Sequence, residues 1–89
     1  MRAVITVVGK DRIGIISGVT TILAENKINV LDISQTILQE FFTMVMVVDL
    51  EKASMAFEKL QSDLAKKGKR MGLTIRIQHE DIFREMHQV

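Results

Sequence analysis

The sequence predicts an α+β fold in which four strands and two helices follow one another in the order βαββαβ. Two segments, residues 13–25 and 54–67, repeat apolar residues at helical spacing. Four others, residues 2–8, 29–38, 41–50 and 73–79, are continuously apolar or alternate with polar residues, as strands do. The chain of 89 residues has the length of one small domain with a modest core.

The first half of the chain divides into a buried strand, a helix and an alternating strand. Residues 2–8 are apolar at nearly every position, which is typical of a central strand. Residues 13–25 carry Ile15, Ile16, Val19, Ile22 and Leu23 at helical spacing, and Asp11 is predicted to cap the helix N-terminus. Residues 29–38 alternate, with Leu31, Ile33 and Ile37 on one face and Asp32, Ser34 and Thr36 on the other.

The second half repeats this order with a tight turn at its start. Residues 39–40 form the turn, and residues 41–50 form a near-continuous apolar strand. Residues 54–67 form a helix that ends in the glycine-containing stretch 68–72. Residues 73–79 alternate cleanly as a strand, and residues 80–89 are predicted to be a short helical tail outside the domain of residues 1–79.

Hydrophobicity also predicts where each strand lies in the sheet. The first and third strands are apolar almost throughout, as central strands are, and the second and fourth have a polar face, as edge strands do. Right-handed crossovers then give an antiparallel sheet of order 4-1-3-2 with both helices on one face, which is the ferredoxin-like sandwich. The other face carries residues such as Val4, Thr6 and Val8 or their alternates, so we expect an interface there.

Composition excludes several classes of function. A net charge of +1 gives no electrostatic basis for binding nucleic acid or an anionic membrane. The first strand has no aromatic residue for stacking RNA bases, and Phe41 and Phe42 point to opposite faces. There is no cysteine, which excludes a thiolate metal site and fits a cytoplasmic protein. The apolar run at the N-terminus is too short for a signal peptide or a membrane span.

No catalytic residues can be assigned. Arg12 lies where an acylphosphatase-like enzyme would hold a phosphate, but no general base or nucleophile accompanies it. His79 and His87, with Glu80 and Asp81, match no metal-ligand spacing, so they are predicted to be solvated tail residues. We therefore expect no enzymatic activity, no metal and no cofactor.

The junction "GKDRIGII", residues 9–16, is the most specific motif. Together with the first strand, the following helix and the segment "ENKINVLDIS", it resembles the ACT domain family, and the resemblance extends from Met1 to about His79. The length and the ending "IRIQHEDIF" resemble the stand-alone UPF0237-type members, which have no settled biochemical role. Many ACT domains have proline before the second glycine, where this chain has Ile13.

The resemblance implies a non-catalytic regulatory or sensor domain that binds an amino acid or a similar small metabolite at a homodimer interface. Backbone N–H groups of the first helical turn would donate hydrogen bonds to the ligand carboxylate, and Gly14 would allow close approach. The implied ligand-binding residues are Lys10, Asp11, Arg12, Ile13, Gly14 and Ile15, completed by Asn29 of the other subunit with Asp32 nearby.

A second interpretation of this junction remains open. The same residues would be expected there if Asp11 only capped the helix and Gly14 only packed it against a strand. The protein would then be a ligand-free interaction module that docks on a separate metabolic enzyme or regulator. In both cases we expect dimerisation through the unprotected second strand and the first helix, whose outward face carries the small uncharged residues Ser17, Gly18, Thr20, Thr21 and Ala24.

Overall fold

The computed structural model describes residues 1–86 and has the predicted ferredoxin-like order of elements. The strands are β1 (Arg2–Lys10), β2 (Asn29–Leu38), β3 (Phe41–Asp49) and β4 (Leu73–His79), and the helices are α1 (Ile15–Glu25), α2 (Phe57–Met71) and α3 (Glu80–Met86). The sheet order is β2-β3-β1-β4 with antiparallel neighbours throughout, so the predicted fold and topology are confirmed. Within residues 1–86 no helix is both long and apolar enough to cross a bilayer.

The core lies between one face of the sheet and the two long helices. Because side chains alternate along a strand, the paired positions of β1 and β3 place every second residue on this face. Ile5 and Met46 face one another there and are fully buried. The same core cluster contains buried residues of both helices, namely Ile15, Val19 and Leu23 of α1 and Leu60 and Leu64 of α2.

The start of α1 differs from the prediction. Gly14 is the N-cap, with φ 89° and ψ 5°, and no side chain makes a capping hydrogen bond. The predicted cap by Asp11 is therefore wrong. The left-handed turn at Gly14 delays the helix until Ile15, and the backbone N–H of Asp11 instead donates to the Glu40 carbonyl at 2.7 Å.

The bounds of α2 also differ, because Gly68 does not end it. The helix begins at Phe57 and continues through Gly68 to Met71, where Gly72 in the left-handed region (φ 72°) ends it. Gly68 is buried inside the helix, and a Cβ there would lie 2.8 Å from the Leu73 carbonyl oxygen. This glycine is needed because the backbones of α2 and β4 approach closely.

The edge strand β2 is irregular and poorly covered. Its register against β3 shifts between Val30 and Asp32, which leaves Leu31 as an extra residue. Beyond the shift, Ile33 and Ile37 pair with Met46 and Phe42 on the helix side of the sheet. The prediction that these two isoleucines share one face of the sheet is confirmed. The predicted alternation of side chains along β2 is interrupted at Leu31, where the register shifts.

The sheet face away from α1 and α2 is partly covered. Val4 lies on this face and is buried, and α3 lies against β1 and β4. Arg2 and Glu80 join the start of β1 to α3 through an ion pair of 3.6 Å. Val8, further along β1 on the same face, is 43% exposed. The helix α3 covers Glu80–Met86 of the tail, and residues 87–89 lie outside the described residues.

Candidate functional site

A cavity of about 270 Å³ lies where β1 leads into α1. One wall is the first turn of α1, the opposite wall is formed by the ends of β2 and β3, and the β1–α1 loop borders both. The lining residues are Asp11, Arg12, Gly14, Ile15, Ile16, Ser17, Gln35, Ile37 and Phe42. The cavity is therefore built by three separate segments of the chain that the sheet topology brings together.

The first turn of α1 presents its backbone to this cavity. The first N–H groups of a helix have no acceptor within the helix, and here no side chain caps them. The first turn itself has no acidic residue, and Asp11 of the preceding loop is the acidic residue that lines the cavity. A Cβ at Gly14 would meet no atom within 4 Å, which leaves the space beside the turn open. This arrangement suits a bound carboxylate.

Arg12 has a structural partner on the other side of the loop. Its Nη1 donates a hydrogen bond of 3.0 Å to the carbonyl oxygen of Met71, the last residue of α2. A cation at a helix C-terminus interacts favourably with the helix dipole and satisfies a carbonyl that the helix leaves free. Arg12 thus borders the cavity while its guanidinium holds the β1–α1 loop against the end of α2.

The other loop residues of the predicted site occupy different positions. Asp11 lines the cavity and Ile15 is buried in the wall between the cavity and the core. Ile13 is 99% exposed and does not line the cavity. Lys10 pairs with Phe41 at the end of the sheet and is also outside the lining. Of the six loop residues, the structure brings Asp11, Arg12, Gly14 and Ile15 to the cavity.

Asn29 and Asp32 lie far from the cavity within one chain. Asn29 pairs with Asp49 at one end of β2, whereas Ile37 pairs with Phe42 at the cavity end. Eight residues of extended strand separate Asn29 from Ile37, a distance of about 25 Å. Asp32 pairs with Val47 on the face away from α1 and α2, and its carboxylate accepts a hydrogen bond of 2.8 Å from the Ile33 N–H. Asn29 can therefore join this cavity only from a second chain.

The sequence analysis missed the cavity wall formed by the sheet and the later residues of the first turn. These residues are Ile16, Ser17, Gln35, Ile37 and Phe42. The signal that locates them is the tight turn at residues 39–40, because it pairs the end of β2 with the start of β3 beside the end of β1. Register alone would have placed Ile37 next to Phe42 and both beside Gly9.

Apolar side chains remain exposed along the edge of the sheet next to this cavity. On the helix side, Ile33 is 45% exposed, Ile37 52% and Ile16 of α1 40%. The adjacent outer face of α1 has no charge before Glu25. The hydroxyls of Thr20 and Thr21 donate to the carbonyls of Ile16 and Ser17 at 2.8 and 2.7 Å, so their hydrogen-bonding needs are met within the helix.

Gly18 does not belong to this outer face, contrary to the prediction. A Cβ at Gly18 would lie 3.1 Å from Cε of Lys67 and 3.3 Å from Sδ of Met71, both on α2. Gly18 therefore faces the neighbouring helix of the same chain. The outer face consists of Ile16, Ser17, Thr21 and Ala24, all of them exposed, with Thr20 half-buried beside them.

The histidine region gives no metal site among the described residues. The described part of the chain contains no group of three or more His, Asp or Glu residues that could hold a metal ion. The His79 ring stacks on Phe57 with centroids 4.1 Å apart, which packs the end of β4 against the start of α2. His87 lies outside the described residues.

Comparisons with known proteins agree with this architecture. A family model described as the ACT domain matches residues 2–78. A UPF0237 protein of Clostridium acetobutylicum is 56% identical over 89 residues, covering all of both chains. An ACT domain protein from Streptococcus pneumoniae of solved structure is 43% identical, with a TM-score of 0.81 over 93% of each chain. The regulatory subunit of aspartate kinase from Thermus thermophilus, at 23% identity, shares the fold with a TM-score of 0.65 over 86% of this chain and 50% of that one.

Proposed function

The chain belongs to the ACT domain family, and we propose that it is a non-catalytic regulatory domain that binds an amino acid or a similar small metabolite between the subunits of a homodimer. ACT domains are regulatory, ligand-binding domains, and they commonly dimerise. The proposal concerns the specific site, the chemical class of the ligand and the way in which two chains complete it.

One observation carries the proposal: the cavity at the β1–α1 junction opens onto an uncapped helix N-terminus. The N–H groups of the first turn would donate hydrogen bonds to the carboxylate of the ligand, as helix N-termini do to anions. The exposed Asp11 carboxylate at the same cavity is an acceptor for the ligand ammonium group. Gly14 would let the ligand contact the backbone because no side chain projects there.

A second chain would complete the site through β2. Opposite residues of an antiparallel pair share a face, so two β2 strands paired about Ile33 would keep α1 and α2 of both chains on one side of an eight-stranded sheet. In this register the start of the partner's β2 lies beside Ile37, which lines the cavity. The partner's Asn29 would then supply an amide to the ligand across the interface. By their pairing with Asp49 and Val47, Asn29 and Asp32 both lie on the face away from α1 and α2, so the partner's Asn29 would have to reach the ligand around the start of its strand, whereas Asp32, further along β2, is not part of the proposed site.

Dimerisation in this register would also cover the exposed apolar edge. The pair would bury Ile33 and place the two α1 helices side by side through their small, uncharged outer faces. The edge strand contains no proline, and Asp32 is its one charged residue, so an uncovered β2 otherwise invites uncontrolled pairing. The interface and the ligand site would therefore share the same strand.

A thermal-shift measurement with each of the twenty common amino acids tests the proposal. A ligand present at a hundred times its Kd stabilises the folded state by about 2.7 kcal/mol, which raises the Tm of a domain this small by several degrees. We expect at least one amino acid to produce such a shift and to bind in isothermal titration calorimetry at one molecule per chain. If none of the twenty amino acids raises the Tm, the proposal that this domain binds an amino acid is contradicted.

The second candidate function is a ligand-free module that docks on a separate enzyme or regulator. The observation that favours it is the exposure of large apolar residues at the same end of the domain, where Ile13 is 99%, Leu38 73% and Phe41 55% exposed. Ile13→Ser distinguishes the two functions. It should leave amino-acid binding intact if the cavity is the site, because Ile13 does not line the cavity.

A further inference from the structure

The sheet face away from α1 and α2 is covered at one end only. Helix α3 lies against β1 and β4, and Val4 near the start of β1 is buried. A helix of seven residues is about 10 Å in both length and diameter, whereas the nine residues of β1 extend over about 30 Å. Residues 1–86 therefore leave the far part of β1 and β4 uncovered on this face.

This uncovered part, which we call the open half, consists of Thr6, Val8 and Lys10 of β1 with Thr74 and Arg76 of β4. Four of the five, all except Lys10, line a cavity of about 280 Å³. Lys10 follows Val8 on the same face because side chains alternate along a strand. Within residues 1–86 neither Arg76 nor Lys10 makes an ion pair. The open half thus combines an exposed valine with two unpaired cations and no acidic residue.

The exposed side of α3 carries the opposite charge. Asp81 and Glu85 are four residues apart, which places them on one side of the helix, and both are exposed. Neither makes an ion pair in the described part of the chain, whereas Glu80 is paired with Arg2 at 3.6 Å. Ile82, beside Asp81, is 50% exposed. One chain therefore has two surfaces of complementary charge that do not meet within it.

We propose that the open half is the docking surface for α3 of a second copy of this chain. A two-fold axis that runs across the strands at the level of Thr6 reverses the strand direction, so each α3 would lie over the open half of the other chain. Ile82 would then enter the cavity beside Val8, and the two free carboxylates of α3 would approach the two cations. Every contact forms twice, because the same surfaces meet on both chains.

This α3 contact is compatible with the proposed dimer through β2. Ile33, about which the β2 strands would pair, lies level with Ile5 through Met46, and Thr6 follows Ile5. The two-fold axes of the two contacts are thus perpendicular and nearly meet, so both contacts together close at four chains. The α3 contact does not depend on the proposed function, since it uses neither β2 nor the cavity at the β1–α1 junction.

Sedimentation equilibrium over a range of protein concentrations tests the α3 contact. Its ion pairs lie near solvent and contribute little each, so we expect association on the order of 0.1–1 mM protein. The wild type, dimeric at micromolar concentration, should then approach the mass of four chains of 10.1 kDa. Thr21→Arg, designed to break the dimer through β2, should double from monomer to dimer. Masses that stay unchanged in both proteins up to about 1 mM would overturn the proposal and leave the proposed function standing.

Charge reversal tests which surfaces meet. Arg76→Glu places like charges opposite each other and should weaken the high-concentration association at least about 10-fold. Adding Asp81→Lys to this variant restores opposite charges and should recover most of the loss. Arg70→Glu is the matched control, because Arg70 is an exposed arginine of α2 that undergoes the same change of charge. Circular dichroism checks that each variant is folded. Equal association of Arg76→Glu and Arg70→Glu, or no recovery in the double variant, would contradict docking of α3 on the open half.

Discussion

The Nη1 atom of Arg12 donates a hydrogen bond of 3.0 Å to the carbonyl oxygen of Met71. This contact joins two positions 59 residues apart in the chain, the loop before α1 and the last turn of α2. Sequence analysis associates Arg12 with a ligand. The hydrogen bond to Met71 gives Arg12 a structural role beside the cavity. The position of the β1–α1 loop, and with it the shape of the cavity, therefore depends on the end of α2.

Arg12→Ala should lower the free energy of unfolding by about 1 kcal/mol, because it removes a charged donor from a helix C-terminus. Urea denaturation measured by circular dichroism gives this quantity. Arg76→Ala is the control: Arg76 is an exposed arginine on the sheet face away from α1 and α2, and we expect less than about 0.5 kcal/mol there. Equal effects of the two substitutions would show that the contact with Met71 contributes nothing specific.

Gly14 should tolerate asparagine better than valine for conformational reasons. Its φ of 89° is unfavourable for most residues and most unfavourable for β-branched ones, whereas asparagine adopts positive φ more readily. Gly14→Asn should remain folded with a loss of about 1 kcal/mol, and Gly14→Val should lose more. Both should abolish ligand-induced stabilisation, because any side chain would occupy the open space beside the first turn of α1. Full ligand binding by Gly14→Asn would remove Gly14 from the site.

Two helical glycines should respond in opposite ways to alanine. At Gly68 a Cβ would lie 2.8 Å from the Leu73 carbonyl oxygen, and because backbone cannot yield easily, we expect a loss of more than about 2 kcal/mol. At Gly18 the nearest atoms are the flexible ends of Lys67 and Met71, so the gain in helix propensity of up to about 1 kcal/mol should offset the crowding. Denaturant titration of both variants checks this, and similar destabilisation by both would contradict it.

Thr21→Arg should convert the protein from dimer to monomer. Thr21 is exposed on the outer face of α1, where the proposed dimer brings two copies of this helix together. Two arginines facing each other near a two-fold axis would repel and would also disrupt close packing of small residues. Sedimentation velocity at micromolar concentration measures the change. Gln61→Arg, on the exposed surface of α2, should remain dimeric, and a monomeric wild type would contradict the proposed interface.

Variants with one introduced cysteine allow the register of the interface to be tested. Natural cysteines are absent, so a single introduced thiol can cross-link only with its own copy. Ile33→Cys should form a disulfide dimer on mild oxidation, because opposite Cβ atoms in an antiparallel pair lie about 4.5–5.5 Å apart. Thr36→Cys on the same strand should not, since its copy would be displaced by several residues. Cross-linking of Thr36→Cys instead would indicate a different register.

Topology was predictable from the sequence because hydrophobic patterning distinguishes central from edge strands. Continuous apolar runs at residues 2–8 and 41–50 led correctly to β1 and β3 at the centre. The ends of the helices were less predictable, because glycine has several roles. Gly14 and Gly72 have left-handed φ and mark helix ends, whereas Gly68 lies inside α2 and serves close packing against β4. Single-residue patterns do not distinguish these roles.

The location of the site was predictable in part, and its composition less so. The loop motif identified Gly14 and Asp11, which line the cavity. The opposite wall, with Ile37 and Phe42, depends on strand register, which a local motif does not contain. Arg12 was assigned to the ligand because its partner, the Met71 carbonyl, is a backbone group that leaves no trace in sequence. Asn29 is placed at the cavity only by the proposed dimer.

A mixing experiment with two variants tests the shared site most directly. Gly14→Asn and Asn29→Ala homodimers should each fail to bind the amino acid that the wild type binds most tightly. After the two are unfolded together and refolded at equal concentration, random pairing makes half of the dimers mixed, and each mixed dimer has one intact site. Calorimetry should then recover about one quarter of the wild-type binding capacity. No recovery, although mixed dimers are detected by differential tags, would contradict a site formed by Gly14 of one subunit and Asn29 of the other.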